Sequence, residues 1–353
     1  MNHITTLQER LIALRAAEPK LRNRDAAAKL GISEATLLSL SLGKNVTRLE
    51  GDWKVLIQEM HRVGYVMALT RNEYCVHERK GVYNNIKFYG GTHNMGVAVN
   101  PDIDLRFFMN EWHYGLAVEM PRGNTRLYSF QFFNKRGIAV HKIFTTPKSD
   151  ITAYNELLQQ FTAEIQTPIL DVDTTPIPPK TLVPDKEIDV DGFQKAWRNL
   201  KDTHDFFGLL RKYKVSRTQS LRLAPQGFTT PVDNNAVVRT LEKVAAQKVP
   251  IMCFLHSAGT IQIHTGAVKN LVFYGDWYNV MDPKFNLHLN LPRVKESWIV
   301  KKPTTDGIVT SLELFDDQGE LITYFFGARK PGIPELDEWR EIVATVQDEA
   351  LVR

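Results

Sequence analysis

The stretch Asn100-Pro101-Asp102-Ile103-Asp104-Leu105 returns later in the chain as Asp282-Pro283-Lys284-Phe285-Asn286-Leu287. These two stretches are 182 residues apart, and the same offset relates Ser129-Phe130-Gln131-Phe132-Phe133 to Ser311-Leu312-Glu313-Leu314-Phe315. A constant offset between separate pairs of segments indicates an internal duplication. The chain is therefore predicted to contain one structural unit twice.

The length fits two domains better than one. At 353 residues, each copy has enough sequence to bury its own core. Prolines cluster between the copies at Pro168, Pro176, Pro178, Pro179 and Pro184. This composition is typical of a semi-rigid connector. The predicted domains are an N-terminal repeat over residues 1–167, a Pro-rich linker over 168–190 and a C-terminal repeat over 191–353.

Both copies have the same order of elements, with helices first and strands after them. Helical spacing of apolar residues predicts helices over 5–17, 24–41 and 50–63, and again over 192–213, 216–223 and 234–247. Alternating apolar and polar residues broken by turns predict antiparallel strands from 65 to 146 and from 250 to 328. A further helix closes each copy, near 150–165 and 334–347. We expect an α+β fold with two domains, each having a large antiparallel sheet flanked by helices.

The composition indicates an ordinary globular protein but does not indicate which ligand it binds. Hydrophobic residues make up 43% and charged residues 24% of the chain, as in ordinary globular proteins. The net charge of +4 suits a small anionic ligand and a nucleic acid equally. There is no run of 18 apolar residues and no signal-peptide pattern, so we expect a cytoplasmic protein. Two cysteines argue against a disulfide framework.

One segment near the N-terminus has the pattern of a DNA-binding helix-turn-helix. Residues 25–37 carry apolar residues on either side of a glycine turn at Gly31. A recognition helix should present basic or amide side chains to the major groove. This one offers Glu34, Thr36 and Ser39. A plain helical hairpin is the favoured interpretation.

Two cysteines lie close to histidines, in Cys75-Val76-His77 and Cys253-Phe254-Leu255-His256. A structural zinc site needs four ligands, usually in paired motifs of fixed spacing. Here the spacing differs between the two pairs. We interpret both pairs as structural residues on strands.

One histidine of the second copy has no counterpart in the first copy. His204 follows Phe193, Trp197 and Leu200 on the predicted helix, whereas the first copy has Leu21 or Arg22 at that place. An imidazole among large apolar side chains would be desolvated and neutral, which is the form that binds a metal. From pattern alone, a packed core histidine is the favoured alternative.

At four separated segments the chain resembles the HemS/ChuS family of cytoplasmic haemin-degrading and haem-trafficking proteins. The segments are Arg71-Asn72-Glu73-Tyr74-Cys75-Val76-His77-Glu78, Asn100 to Arg106, Thr203-His204-Asp205-Phe206-Phe207-Gly208-Leu209-Leu210 and Lys302-Pro303-Thr304. The resemblance covers nearly the whole chain and includes the duplication. It implies two centrally stacked sheets, and haem b bound between helices and sheet of the C-terminal copy.

The resemblance also implies a role for individual residues. His204 matches the axial ligand of the haem iron, and Arg106 matches a catalytic arginine on the opposite face of the haem. Residues expected around the porphyrin and its propionates are Phe207, Arg217, Lys302, Tyr324, Phe326 and Arg329. Family members often have glutamine and tyrosine where this chain has Tyr324 and Phe326, so a propionate contact at these two positions stays open.

The physical chemistry of haem agrees with this set. Haem is an apolar plate with a central iron and two carboxylates, so its site needs a nitrogen ligand, aromatic walls and a cationic rim. We expect a protein of bacterial iron acquisition that degrades haem oxidatively with an external electron donor and releases iron. The alternative is a haem chaperone that receives haem from an ABC transporter, or delivers it to a separate haem oxygenase. A haem-responsive DNA-binding regulator is the third possibility, a DNA partner being the least expected, and a monomer and a dimer both remain open.

Overall fold

The computed structural model describes residues 3–91, 94–167, 170–179, 181–330 and 332–351. They form two compact units that are not simple halves of the chain. The first unit comprises Met1–Arg71, Glu78–Pro176 and His256–Gln262, and the second comprises Asn72–His77, Ile177–Leu255 and Ile263–Arg353. Each unit therefore contains one short segment from the other half of the sequence.

The helices and strands repeat in the same order along the two halves. The helices of the first half are α1 (His3–Ala17), α2 (Asn23–Leu30), α3 (Glu34–Ser39), α4 (Trp53–Glu59) and α5 (Ile151–Phe161). Its strands are β1 (Val46–Leu49), β2 (Gly64–Arg71), β3 (Cys75–Val82), β4 (Ile86–Tyr89), β5 (Met95–Val99), β6 (Asp104–Phe108), β7 (Tyr114–Arg122), β8 (Thr125–Phe133) and β9 (Ala139–Ser149).

The second half repeats this series. Its helices are α6 (Val190–Arg198), α7 (Asp205–Tyr213), α8 (Arg217–Arg222), α9 (Ala236–Gln247) and α10 (Asp337–Leu351). Its strands are β10 (Thr229–Val232), β11 (Ile251–His256), β12 (Thr260–Gly266), β13 (Leu271–Tyr274), β14 (Trp277–Met281), β15 (Phe285–Asn290), β16 (Glu296–Thr304), β17 (Gly307–Phe315) and β18 (Leu321–Gly327).

The strands form two nine-stranded antiparallel sheets, as the α+β prediction requires. Their strand orders are β1-β7-β8-β9-β2-β3-β15-β14-β13 and β10-β16-β17-β18-β11-β12-β6-β5-β4. Strands related by the repeat occupy the same places in both orders, so the duplication is confirmed at the level of topology. The short strands β1 and β10 were not predicted, because four residues give too little alternation to recognise.

Two predicted helices are each broken into two. The segment 24–41 divides at Gly31, which has a left-handed backbone (φ 70°) that ends α2, and Ser33 then accepts the N–H of Thr36 at 3.1 Å to begin α3. The segment 192–213 divides between α6 and α7. The apolar spacing continues across both breaks, so periodicity alone predicts longer helices than the chain forms.

The DNA-binding interpretation of residues 25–37 does not fit the structure. The second helix of the hairpin, α3, has only six residues. Glu34 and Ser39, which would have to face a base edge, are both buried. Of the three polar side chains that α3 offers, Thr36 alone is partly exposed, and one polar side chain is too little to read a major groove.

In the second unit, helices cover both faces of the sheet. Leu312 and Phe325 face α9 and α10, where they pack with residues such as Leu241 and Trp339. On the opposite face, Val300 packs with side chains of α6 and α7, including Phe193, Trp197 and Phe206. The candidate site lies on this second face.

Within the described ranges, no helix is both long enough and apolar enough to cross a membrane.

Candidate functional site

His204 lies in the short segment between α6 and α7, immediately before the first residue of α7. Its side chain is 91% exposed. The expectation of a desolvated imidazole on an apolar helix face is therefore wrong. Periodicity failed here because α6 ends at Arg198, before the segment that carries His204. In that segment the carbonyl of Lys201 accepts the N–H of Thr305 at 3.0 Å.

A neighbouring carboxylate holds the imidazole. Asp202 Oδ1 accepts the backbone N–H of His204 at 2.8 Å and lies 2.6 Å from its Nδ1. The backbone N–H of His204 is the largest cause of the lowered pKa of Asp202, and burial partly opposes it. Because a carboxylate only accepts hydrogen bonds, Nδ1 carries the proton in the neutral ring, and Nε2 keeps its lone pair for a metal.

The two phenylalanines after His204 have opposite environments. Phe206 is 1% exposed and packs edge-on against Trp197, with 4.5 Å between ring centroids. Phe207, the predicted wall residue, is 64% exposed, and the guanidinium carbon of Arg211 lies 5.1 Å from its ring centroid. Phe206 therefore supports the site from the core, while Phe207 lies on the surface of α7.

Arg217 and Lys302 meet at a carboxylate that was not predicted as a site residue. Glu313 Oε2 accepts Nη2 of Arg217 at 2.7 Å, and Oε1 accepts Nζ of Lys302 at 2.6 Å. The Glu313 side chain is completely buried, and that of Lys302 is 4% exposed. The sequence did contain a signal, because Glu313 corresponds to the neutral Gln131 in the first copy.

The proximity of these charged groups and their burial change the pKa values of Lys302 and Glu313. Burial lowers the pKa of Lys302 to about 8, against the attraction of Glu313. Burial alone would raise the pKa of Glu313, but the cations Arg217 and Lys302 outweigh it and bring the pKa down to about 2. Both results describe a charged carboxylate that is paired with two cations at neutral pH, so the trio has a net positive charge.

The neighbouring strands supply aromatic side chains on the same sheet face. Strand register places Trp298, Glu313, Tyr324 and Phe254 side by side across four strands. The rings of Phe254 and Tyr324 stack with 5.0 Å between centroids, and Phe326 packs edge-on against both. Burial raises the pKa of Tyr324, so its hydroxyl stays protonated.

Arg329 follows the end of β18. Its Nη2 donates to Asp306 Oδ2 at 3.1 Å. Its Nε is buried and has no acceptor among the described residues. A buried guanidinium N–H without a partner is costly, and a carboxylate is the acceptor that suits it best. Arg329 also contributes to the lowered pKa of Asp202, so its charge acts close to His204.

Arg106 belongs to the first unit, on β6. Its Nη1 is hydrogen-bonded to the carboxylate of Asp104 and donates to the carbonyl of Leu105 at 3.1 Å. Its side chain is 31% exposed. The role of Arg106 opposite His204 stays a prediction.

The cysteine–histidine pairs do not form a metal site in the structure. Cys75 and Cys253 are both buried, and burial raises the pKa of Cys253 to about 12. A thiol that keeps its proton is a poor metal ligand. Among the described residues, no group of three or more His, Cys, Asp or Glu side chains is placed to hold a metal ion.

Comparison with known proteins gives the same family throughout. The model of the haemin-degrading HemS/ChuX domain matches residues 31–161 and again residues 214–346. The chain is 35% identical to the hemin transport protein HemS of Yersinia enterocolitica, over 97% of this chain and 98% of that protein.

Solved structures agree with this result. Holo-PhuS, a heme-binding protein from Pseudomonas aeruginosa, is 44% identical with a TM-score of 0.93, covering 97% of this chain and 98% of that one. The heme degrading enzyme ChuS of Escherichia coli O157:H7 is 31% identical with a TM-score of 0.89, covering 97% and 99%. Since the domain matches twice and these relatives span nearly the whole chain, this protein belongs to the HemS/ChuS family.

Proposed function

We propose that the protein binds haem in its C-terminal copy, with Nε2 of His204 as the axial ligand of the iron. The observation that carries this proposal is an exposed imidazole whose Nδ1 is already held by Asp202. A histidine whose Nδ1 is held by a carboxylate is a well-oriented metal ligand through Nε2. The relative PhuS, 44% identical, is described as a heme-binding protein.

The surrounding residues suit the rest of the ligand. Phe254 and Tyr324 are partly exposed and offer aromatic surface to a porphyrin, and the buried Phe326 packs against both rings. Arg217 and Arg329 supply guanidinium groups for the two propionates, and the buried Nε–H of Arg329 still requires an acceptor. Haem combines an apolar ring, which suits the aromatic side chains, with two carboxylates, which suit the guanidinium groups.

We further propose that the bound haem is opened oxidatively and its iron released, with electrons from an external donor. The relative that supports this step is ChuS, described as a heme degrading enzyme. When bound, haem supplies the redox chemistry of the iron. The contribution of this chain would be to hold the iron through His204 and to stabilise developing negative charge with the partly exposed guanidinium of Arg106.

Delivery of intact haem to another protein is a second candidate function. The exposure of the His204 side chain favours it, because a ligand on an open segment can leave the iron without opening a core. Its partners would then be a haem transporter on one side and a haem oxygenase on the other. Both candidate functions require the same haem site.

One experiment distinguishes the two functions. The protein is loaded anaerobically with haem, and reductant and oxygen are added while the Soret band and released iron are followed. Ring opening predicts loss of the Soret band with stoichiometric iron release. Transfer predicts a stable Soret band that moves intact to apomyoglobin.

An arginine pair provides the control for this experiment. Arg106→Ala should keep most of the haem affinity and slow ring opening. Arg126→Ala removes an exposed arginine of the same copy and should change neither property. Equal turnover of Arg106→Ala and the unsubstituted protein would remove Arg106 from the catalytic site.

A further inference from the structure

Glu313 is saturated with hydrogen-bond donors although it is completely buried. Its Oε2 accepts Nε and Nη2 of Arg217 at 3.1 and 2.7 Å. Its Oε1 accepts Nζ of Lys302 at 2.6 Å and the hydroxyl of Ser311 at 2.9 Å. A buried carboxylate with this many donors is held in a single orientation, and it holds its partners in turn.

The two cations are not equivalent. One edge of the Arg217 guanidinium, formed by Nε and Nη2, is bound to Glu313, and the side chain is 24% exposed. Nη1 therefore remains available on the outer edge. Lys302 is 4% exposed and lies beneath. Of the two, only Arg217 can reach a ligand from the surface.

Both cations also lie over the ring of Phe206. The guanidinium carbon of Arg217 is 4.9 Å and Nζ of Lys302 is 4.8 Å from its centroid. Phe206 lies in the first turn of α7, two residues after His204. The cations and the segment that carries His204 are therefore joined in one buried cluster.

We propose that Glu313 is a positioning residue for haem binding. It presents the outer edge of Arg217 to a propionate, and through Phe206 it fixes the start of α7 and with it His204. Lys302 is the counter-charge of Glu313 and makes no direct contact with a propionate, unlike the role implied by family resemblance. This inference rests on the proposed haem site.

The test compares haem with its dimethyl ester, in which the propionate charges are removed. In the unsubstituted protein, esterification should weaken binding roughly 10–100-fold, because a charge-assisted pair with Arg217 is lost. In Glu313→Gln the penalty of esterification should fall below about threefold, since Arg217 is no longer oriented. The Soret band should also broaden or shift, because His204 is no longer fixed.

A charge-balanced variant separates positioning from net charge. Glu313→Gln combined with Lys302→Met keeps the trio at the same net charge of +1, as Arg217 remains. The ester penalty should still be lost. Lys302→Met alone should retain most of it, because Glu313 still holds Arg217. Circular dichroism of each variant checks that the fold is intact.

The outcomes distinguish the possible failures. A full ester penalty in both the Glu313→Gln and the double variant would overturn the positioning role. Loss of the penalty in Lys302→Met alone would make Lys302 a direct propionate partner and overturn its role as counter-charge. If the unsubstituted protein bound haem and its ester equally, or without dependence on His204, the haem site itself would be wrong. Gln131→Leu, at the matching position of the first copy, should leave both affinities unchanged.

Discussion

The first residues of α3 and α8 occupy matching places in the two copies but have opposite charges. In the first copy Glu34 begins α3 and accepts Nζ of Lys142 at 2.6 Å, both side chains being buried. In the second copy Arg217 begins α8 and binds Glu313, which also binds Lys302. The two copies therefore have the same backbone element at this position, but its first residue is negative in the first copy and positive in the second.

Elementary electrostatics explains why this exchange needs a second residue. A carboxylate such as Glu34 is favoured at a helix N-terminus, where the backbone N–H groups carry partial positive charge, and an arginine is disfavoured there. Arg217 is stable at this position because Glu313 replaces the neutral Gln131 of the first copy. The second copy therefore maintains a cation where the first has an anion, which agrees with the proposal that this copy binds an anionic ligand.

The largest expected effect follows removal of the proposed iron ligand. His204→Ala should shift the Soret band and raise the rate of haem dissociation about 100-fold. The melting temperature of the apoprotein should stay within about 2 °C, because the side chain is exposed. Absorption spectroscopy and transfer to apomyoglobin measure these quantities.

The control for this substitution is His61→Ala, an exposed histidine of the first copy, which should leave haem binding unchanged. An unaltered spectrum in His204→Ala would reject the ligand and direct attention to His256, a partly exposed histidine on β11.

The next effect concerns the cations of the second copy. Arg217→Ala combined with Arg329→Ala should weaken haem retention roughly 10–100-fold, with a shallow dependence on salt, since only two carboxylates are involved. The matched double variant in the first copy, Arg122→Ala with Arg126→Ala, removes the same charge from exposed positions and should retain haem normally.

The same pair of variants tests the regulator hypothesis. A DNA site that neutralises six or more phosphates would lose about 10³-fold in affinity between 50 and 200 mM salt. If the Arg217/Arg329 variant kept haem and lost a steeply salt-dependent DNA complex, these arginines would belong to a nucleic-acid surface.

Acid should destabilise the second copy specifically. The folded-state pKa of Glu313, about 2, is below its ordinary value of 4.5. Its contribution to stability is therefore complete above pH 4.5 and is lost as the pH falls towards 2. We expect this contribution to be on the order of 1–3 kcal/mol.

Urea unfolding between pH 6 and pH 3 measures it. Glu313→Gln should be less stable at pH 6 and should have a flatter pH dependence than the unsubstituted protein. Gln131→Leu changes the matching neutral residue of the first copy and should keep the original slope. Identical slopes in all three proteins would mean that Glu313 does not determine acid stability.

The smallest expected effect concerns the carboxylate beside the ligand. Asp202→Asn can still accept the backbone N–H of His204 but loses the carboxylate charge beside its Nδ1. Haem dissociation should become roughly 3–10-fold faster. Asp205→Asn, the adjacent acid, is the control, and stopped-flow transfer of haem is the measurement. No difference between the two variants would show that Asp202 only shapes the backbone.

Local patterns were sufficient to predict much of the fold. The offset of 182 residues, with alternating strands and turn residues between them, predicts the two antiparallel sheets, because alternation and turns depend on neighbouring residues. The segment between α6 and α7 instead makes a contact that is distant in sequence, in which the carbonyl of Lys201 accepts the N–H of Thr305. No periodicity over the helix could reveal that α6 ends before this segment, and the environment predicted for His204 was wrong for this reason.

The candidate site, too, could be predicted from the sequence only in part. Resemblance supplied Arg217 and Lys302 as single matched residues, but it did not supply Glu313, the residue that joins them. Its one local signal is the difference from Gln131 across the repeat. That difference could be interpreted as part of a charged cluster only after the sheet register was known.

Each unit contains a short segment from the other half of the sequence, so neither unit can be expressed from one continuous part of the gene. A protein expressed from residues 177–353 would lack Asn72–His77, which belongs to the second unit. The carbonyl of Ile322 would then lose the amide of Asn72, and the N–H of Asn290 would lose the carbonyl of Tyr74. No single stop codon or protease cut can release either unit whole. An ancestral single-copy protein would have had to supply these contacts from its own chain or from a second molecule.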